Sequence, residues 1–432
     1  MKSFFNKDEN VGREMHELIT TLFPICRSIT GNGVRETLKK IQTHIPIQIN
    51  EVQSQTKVFD WTIPKEWNIQ DAYVIDPNGK KIIDFKNSNL HVVSYSIPIH
   101  KKIELSELKP HIHTLPEMPD AIPYLTSYYN EDWGFCMSHN EFKKLQDGEY
   151  EIMIDSTLEN GSLTYGEFLK KGEVEDEVLL TCYICHPSMC NDNLSGTALI
   201  TFLAKHLENI KTKLSYRFLF IPETIGAITW LSKNEQNLHK IKHGLVATCL
   251  GDSGSSTYKK TRDGNNEIDR VAEYVLENSK QDYSIVDFFP SGSDERQFSS
   301  PKFNLPIGSL VRTLYGKFPE YHTSEDNLNF VKEEHLGDTF FKYSQIIYII
   351  ENNVKYLNLN PKCEPQLGKR GLYRQLGSQK ISDQIELAMF WILNQSDGEN
   401  SLLDISIKSK LDFSTIKQVA DKLVDHNLLK II

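Results

Sequence analysis

The sequence predicts an α/β protein with a mixed, largely parallel sheet and helices on both faces, joined to a β-rich inserted subdomain and a C-terminal winged-helix domain. Three patterns support this prediction. After residue 177, apolar runs of strand length alternate with segments whose apolar positions recur at helical spacing. Between about 45 and 176, short alternating runs are separated by turn signals such as Pro-Asn-Gly. From about residue 370, the order helix, helix, helix, strand is winged-helix-like.

These changes of pattern set the expected domain boundaries. We expect the α/β domain at residues 1–55 and 135–360, the inserted subdomain at 56–134, and the winged-helix domain at 368–432. Within the α/β domain, we predict two helices in residues 8–43, strands at 177–185, 214–221, 244–251 and 305–311, and helices at 225–231 and 340–357. In the tail, we predict helices at 381–393, 402–407 and 414–425, and a strand at 428–432.

Composition excludes some classes of function. The chain has 432 residues, of which 39% are hydrophobic and 25% charged, which is typical of a globular protein. Its net charge of -10 disfavours non-specific binding to nucleic acid. The N-terminus lacks the apolar region of a signal peptide, and no apolar run approaches the length of a membrane span, so we expect a soluble, cytoplasmic protein without membrane contact.

The tail is electrically neutral. From Arg370 onward it contains eight Lys plus Arg and eight Asp plus Glu. Binding to DNA depends mainly on neutralising phosphates, so a neutral module favours packing or homo-oligomer formation over contact with nucleic acid, although DNA binding stays open.

Polar residues gather where the predicted strands end. The apolar run 177–185 stops at His186, and Asp192 follows between two Asn residues before a helical pattern opens at Ser195. The next strand ends at Glu223, and the third at Asp252. The carboxyl ends of parallel strands meet at one edge of a sheet, where ligands bind. A helix cap or a turn remains an alternative for any single one of these residues.

Together with His322 in a later loop, these residues offer the chemistry of a metal site. Two His and two Asp can supply nitrogen and oxygen ligands for zinc while leaving a position for water. Glu223 then suits the role of general base. Cys182 and Cys185 form a C-x-x-C, but their side chains would point to opposite faces of a strand, so we favour buried thiols over a cysteine-ligated zinc.

Several motifs resemble those of the MH-clan zinc aminopeptidases. They are Asp-Asn-Leu-Ser-Gly at 192–196, an Asp at the end of a strand, and a late His in Pro-Glu-Tyr-His-Thr-Ser-Glu-Asp-Asn-Leu at 319–328. The whole chain resembles an uncharacterised bacterial family that combines an aminopeptidase-like domain, a β-rich insertion and a C-terminal winged helix. The stretches that carry this second resemblance are 59–68, 183–196, 292–298 and 319–328. The resemblance implies a zinc aminopeptidase-like fold.

The resemblance also implies roles for individual residues. His186 and Asp252 would bind one metal, His322 the other, and Asp192 would bridge the two, with Glu223 as general base. Two positions depart from the motifs: Thr224 stands in place of a ligand Glu, and Ser188 in place of an Asp that orients the His. We therefore expect one or two zinc ions, with a weaker site at His322. If the loop is shifted by one residue, Glu223 is instead the ligand.

The charged segment 292–298 and nearby aromatic residues are candidates for substrate binding. Asp294 supplies charge, Arg296 can bind a carboxylate or phosphate, and Tyr321 can orient the substrate, with a surface ion pair as the alternative for Arg296. Aromatic residues of the predicted insertion, including Trp61, Trp67, Trp133 and residues 124–129, line either a specificity surface or a core.

We expect a zinc-dependent hydrolase of the aminopeptidase type that cleaves an amide bond in a small peptide or an N-acylated substrate. Two alternatives remain open at this point. One is a catalytically weak or inactive aminopeptidase-like module for binding or regulation, which the departures at Thr224 and Ser188 favour. The other is an amidohydrolase that acts on a polysaccharide precursor, for which the metal chemistry is the same.

Overall fold

The computed structural model describes residues 10–372 and 383–432. They form two compact units. The larger contains residues 10–269 and 282–340, and the smaller contains residues 270–281 with the described part of 341–432. In the described part of the chain, no helix is both long enough and apolar enough to cross a lipid bilayer.

The larger unit is built on a mixed eight-stranded sheet, which confirms the predicted fold class. Its central strands run parallel to one another, and antiparallel strands extend it on both sides. In spatial order, the strands are Gln48–Gln53, Ser162–Lys170, Ser215–Ile221, Glu177–Tyr183, Ile241–Val246, Ile307–Val311, Ser256–Lys259 and Tyr283–Val286. Glu177–Tyr183 is buried at every position, as expected for a central strand covered on both faces.

The helices of the larger unit include the predicted ones and two that the sequence patterns did not indicate, Glu267–Asn278 and Glu295–Phe298. Their bounds are Val11–Leu22, Asn32–Gln42, Ser195–Leu207, Ile225–Asn234 and Glu295–Phe298, while Glu267–Asn278 and Glu333–Asn352 each continue into the smaller unit. Helix Ser195–Leu207 is buried on almost every side. Its second residue is a glycine because a Cβ at Gly196 would lie 2.2 Å from the carbonyl oxygen of Ala247. This close approach packs the beginning of the helix against the end of a neighbouring strand.

A second, antiparallel sheet has four strands and its own core. The strands in spatial order are Lys81–Asp84, Glu66–Ile75, Glu149–Glu159 and Ile99–Glu104. Glu149–Glu159 lies after residue 134, the predicted end of the insertion, and only a short turn separates it from Ser162–Lys170 of the large sheet. A short turn therefore joins a strand of one sheet to a strand of the other, and the two strands pair with different neighbours.

The smaller unit contains the winged-helix domain, as predicted. Helices Asp383–Gln395, Leu402–Ser409 and Phe413–Asp425 accompany a sheet of Asp397–Ser401, Lys355–Asn358 and Leu429–Ile431. Lys355–Asn358 is a strand, so the helix predicted at 340–357 ends earlier, at Asn352. This strand also precedes residue 368, where we expected the domain to begin. The first two residues of the helix predicted at 381–393 lie outside the described residues.

Candidate metal centre and catalytic site

The strand register brings the first site residues to one edge of the large sheet. Tyr183 pairs with Ile221 of the parallel neighbouring strand, so His186 and Glu223 both follow directly after paired strand ends. His186 is buried, and Asp192 is completely inaccessible to solvent. The peptide bond after Asp192 is cis, and helix Ser195–Leu207 begins shortly afterwards.

A carboxylate that sequence reasoning did not single out holds this loop. Asp326 accepts hydrogen bonds from the backbone N–H groups of Asn191, at 2.6 Å, and Asp192, at 2.9 Å. Burial raises the pKa of Asp326 to about 8, although these N–H groups act in the opposite direction. Asp326 therefore ties the loop that carries Asp192 to the loop that carries His322.

Three of the four predicted metal ligands come together. One ligand atom each of His186, Asp192 and His322 lies within 4.8 Å of the others. His322 Nε2 is 3.0 Å from Asp192 Oδ2. Even so, neither of these two solvent-inaccessible atoms forms a well-aligned hydrogen bond within the described residues. Buried polar atoms are rarely left unpaired, and a cation shared by all three side chains would satisfy both, so the residues present fit a zinc ion.

The protonation states of these groups suit metal binding. Burial lowers the pKa of His186 to about 4, so its imidazole is neutral at pH 7 and can act as a ligand. For Asp192, burial acts to raise the pKa, but His186, His322 and the Tyr183 hydroxyl outweigh this effect and lower it. Tyr183 donates a hydrogen bond to Asp192 Oδ1, and its hydroxyl lies 2.6 Å from Thr248 Oγ1.

The fourth predicted ligand, Asp252, is not brought into this group. Its Oδ1 accepts hydrogen bonds from the Gly254 N–H at 2.7 Å and the Thr313 hydroxyl at 2.6 Å, and its Oδ2 accepts one from Asn191 Nδ2 at 2.9 Å. The physical reason is the strand length. The strand ends at Val246, so the following residues carry Asp252 past the sheet edge, where it stabilises a turn.

Glu223 lies beside the three ligands. Its Oε2 is 3.7 Å from His186 Nε2, and its backbone N–H donates a hydrogen bond to Cys185 Sγ at 3.2 Å. Burial raises the pKa of Glu223 well above its ordinary value, and the charges of Asp294 and Asp192 raise it further. A raised pKa makes the carboxylate of Glu223 a stronger proton acceptor than an ordinary glutamate.

Cys185 is closer to the site than its sequence pattern indicated. Its Sγ lies 3.4 Å from His186 Nδ1, and Cys185, His186 and Glu223 form a second group of potential ligands. Burial raises the pKa of the Cys185 thiol well above its ordinary value, which keeps it protonated and makes it a poor metal ligand. In the tautomer of His186 that carries its proton on Nδ1, Sγ accepts the Nδ1–H and Nε2 is the nitrogen that can bind a metal.

The two departures from the aminopeptidase motifs have different surroundings. The Ser188 hydroxyl donates to the Phe23 carbonyl at 2.9 Å and accepts from Asn89 Nδ2 at 2.8 Å. Thr224 has a φ of 62°, which is unusual for a β-branched residue. Its backbone N–H donates to Asp294 Oδ1 at 2.7 Å, and its hydroxyl accepts from Arg296 Nη2 at 2.8 Å.

These contacts bring two predicted substrate-binding residues, Asp294 and Arg296, to the edge of the site. Burial raises the pKa of Asp294 to about 7, while the Thr224 N–H acts to lower it. The third, Tyr321, stacks on the His322 imidazole with ring centroids 3.9 Å apart. Asp294 therefore positions Thr224, and Tyr321 positions His322. Arg296 uses one donor on Thr224 and keeps its other donors for further partners.

The β-rich insertion forms a wall of the site. The buried Tyr124 ring lies 5.4 Å from that of His186 and 5.3 Å from that of His322, and the Tyr124 N–H donates to the His322 carbonyl at 2.8 Å. Trp67 is instead a core residue that donates from Nε1 to the Ser96 carbonyl. Trp61, Tyr128 and Tyr129 are instead exposed, so the aromatic residues of the insertion are divided among the site, the core and the surface.

Comparison with known proteins relates this geometry to a fold. The zinc aminopeptidase of Bacillus subtilis superimposes with a TM-score of 0.59 over 81% of this chain and 96% of that one, at 13% identity. A crystal structure of a candidate peptidase from Clostridium acetobutylicum superimposes with a TM-score of 0.93, covering 98% and 97% of the two chains at 60% identity. The α/β domain therefore has the zinc aminopeptidase-like fold.

Sequence comparison then defines the family. The chain belongs to the family of the domain of unknown function DUF4910, whose model matches residues 16–353, and a winged helix-turn-helix model matches residues 354–431. A relative from Clostridium acetobutylicum is 60% identical over all 432 residues and 99% of its own length. That protein is named as a candidate polysaccharide biosynthesis protein with an aminopeptidase-like domain.

Proposed function

We propose that this protein is a zinc-dependent hydrolase of the aminopeptidase type that cleaves an amide bond. The observation that carries the proposal is the convergence of His186, Asp192 and His322, with Asp192 Oδ2 and His322 Nε2 buried and without an aligned hydrogen-bond partner among the described residues. Glu223 beside them supplies the carboxyl group that amide hydrolysis requires.

The ligand set favours one ion over two. A catalytic zinc commonly has three protein ligands and one open position, and the structure gathers three side chains in this group. A second ion would need further donors. Asp252 uses both carboxylate oxygens elsewhere, and the Thr224 hydroxyl accepts a hydrogen bond from a guanidinium group.

The chain's own residues can then assist the reaction. A zinc ion bound here would polarise the amide carbonyl and acidify a water molecule. Glu223 Oε2 takes the proton of the attacking water and passes it to the leaving nitrogen, for which its raised pKa is suited. Tyr124 and Tyr321 pack against the ligand imidazoles, keep them oriented and restrict the access of bulk water.

The substrate is a small peptide or an N-acylated compound. One observation favours a second, related candidate, an amidohydrolase acting on a polysaccharide precursor: the relative with 60% identity is named for polysaccharide biosynthesis. Both candidates use the same centre and the same proton transfer, so a substrate panel that contains short peptides and N-acylated amino sugars separates them.

Zinc content tests the centre. We expect about one zinc per chain in the purified wild type, and strongly reduced zinc in His186→Ala and His322→Ala. His239→Ala, which changes an exposed histidine outside the site, is the matched control and should keep its zinc. A wild type without zinc, even after dialysis against zinc, would contradict the proposal and favour a binding or regulatory module.

Glu223→Gln tests the catalytic role. This variant should keep its zinc and lose about 10²- to 10⁴-fold in turnover of whichever amide the wild type cleaves, the usual contribution of a general base. Glu235→Gln, at an exposed position, controls for the loss of one carboxylate. Unchanged turnover in Glu223→Gln would refute the assignment, whereas loss of zinc would show that Glu223 is a ligand.

A further inference from the structure

The guanidinium group of Arg296 has an unusual set of contacts. Its Nη2 donates to the hydroxyl of Thr224 at 2.8 Å, which is a neutral acceptor. Its Nε is inaccessible to solvent and has no acceptor in the described residues. Within residues 10–372 and 383–432, no carboxylate forms an ion pair with it. The side chain as a whole is only partly buried, so a partner from outside the chain can reach the guanidinium donors that Thr224 does not use.

The acidic residues that precede Arg296 have other partners. Glu295 Oε1 accepts from Lys259 Nζ at 2.6 Å, in an ion pair that is fully buried. Asp294 Oδ1 accepts the backbone N–H of Thr224. Lys259 Nζ also donates to the Ser291 carbonyl at 2.9 Å, which anchors the segment at its beginning. Arg296 therefore extends from a segment that is fixed by buried contacts, and its charge acts on the nearby carboxyl groups of Asp294 and Glu223 without forming an ion pair with either in the described residues.

The guanidinium group of Arg296 lies close to Glu223, which we assign as the general base. Thr224, which Arg296 holds, directly follows Glu223 in the chain. The charge of Arg296 also acts on the Glu223 carboxyl group and lowers its pKa, against the larger effect of burial. A group bound to the guanidinium therefore lies beside the carboxyl group that we assign as general base.

We propose that Arg296 forms an oxyanion-binding subsite and that the substrate carries a carboxylate or phosphate group close to the amide that is cleaved. This inference rests on the proposed function for the position of the cleaved bond. The planar fork of an arginine matches a carboxylate or a phosphate with two parallel hydrogen bonds, and a neutral carbonyl gains much less from it. The hydrogen bond from Nη2 to the Thr224 hydroxyl restricts rotation of the guanidinium group and so orients its remaining donors.

Binding of small probes to the zinc-loaded protein tests the subsite. Isothermal titration calorimetry would compare N-acetylglycine, which is anionic, with its neutral analogue N-acetylglycinamide, and would include inorganic phosphate to distinguish the two kinds of oxyanion. We expect the wild type to bind N-acetylglycine or phosphate at least about tenfold more tightly than N-acetylglycinamide. Which of the two anions binds more tightly identifies the source of the oxyanion.

Variants assign the preference to Arg296. In Arg296→Met the preference should disappear, and in Arg296→Lys, which keeps the charge but not the fork, it should be reduced. Arg262→Met, at an exposed position, should behave as the wild type. Zinc itself attracts anions equally in all variants, so the difference between variants is the readout. Equal affinities in the wild type, or an unchanged preference in Arg296→Met, would overturn the subsite. Absence of zinc would overturn the metal centre instead, so the two failures are distinct.

Discussion

The hydrogen bond from Tyr183 to Asp192 gives a sharp prediction about zinc affinity. The Tyr183 side chain is only 2% exposed, and its hydroxyl donates to Oδ1 of the carboxylate whose Oδ2 faces His322. In Tyr183→Phe, Oδ1 loses this donor in a site without solvent. The proton then competes more strongly for Asp192, because the Tyr183 hydroxyl contributes to its low pKa.

The size of the effect follows from the kind of contact. Removing a residue that hydrogen-bonds a metal ligand typically weakens metal binding by about 10- to 100-fold, or about 1.4 to 2.8 kcal/mol. A hydrogen bond to a buried charged group contributes a similar amount, about 1.5 to 3 kcal/mol. We therefore expect the zinc dissociation constant of Tyr183→Phe to rise by one to two orders of magnitude.

The assay is competition for zinc with a chromophoric chelator at pH 7.5. Tyr95→Phe is the matched control. Tyr95 is also buried, at 1% exposure, and its hydroxyl contacts Thr30 Oγ1 at 2.6 Å, away from the three ligands. Both variants should lose stability in urea unfolding, but only Tyr183→Phe should lose zinc affinity. Equal zinc affinity in the two variants would refute the role assigned to Tyr183.

Three further predictions concern acidic and hydroxyl groups near the centre. Asp252→Asn should keep its zinc but lower the free energy of unfolding by about 1 to 3 kcal/mol, because Gly254 N–H and Thr313 lose a charged acceptor; loss of zinc would contradict the placement of Asp252. Ser188→Ala should leave zinc affinity unchanged, since its hydroxyl bonds the Phe23 carbonyl; a tenfold loss in the chelator assay would show that it supports His186. Asp294→Asn should flatten the pH dependence of stability. The pKa of Asp294 is about 7 in the folded protein against an ordinary value of 3.8, so between these two pH values the native state binds more protons than the unfolded state. The free energy of unfolding of the wild type therefore falls as pH rises from about 4 to about 7, and the variant lacks this contribution. Urea unfolding of both proteins at several pH values between 4 and 8 would measure this, and identical slopes would argue against the shifted pKa.

Sequence patterns predicted the parts of the site that depend on local structure. His186 and Glu223 follow strands whose apolar runs are unmistakable, and parallel strands in register must deliver them to one edge. Asp192 was marked by its place between a strand and a helix. Asp252 was placed by the same reasoning, but the strand before it ends at Val246, and the length of a strand end is poorly defined by composition.

The contacts that sequence patterns did not predict join distant parts of the chain. Asp326 bonds the backbone at Asn191 and Asp192, across more than 130 residues. Tyr183 faces Asp192 only because the loop turns back over the strand end. The pairing of Glu149–Glu159 with Glu66–Ile75 likewise depends on which strands meet, and alternating residues show only that a strand exists. Such partners are selected by packing in three dimensions.

The backbone pairing between the insertion and the His322 loop has a consequence for how this family can diversify. Tyr124 N–H donates to the His322 carbonyl, and the Ser324 N–H donates to the Ile122 carbonyl at 2.9 Å. The loop that carries His322 is thus joined by main-chain hydrogen bonds to a segment that lies outside the large sheet. These hydrogen bonds constrain the length and path of the segment, whereas the identity of a side chain is constrained only where it packs on the site, as Tyr124 does. Substitutions at positions of the segment that do not contact the site leave this pairing intact, whereas insertions or deletions between 122 and 124 would displace His322.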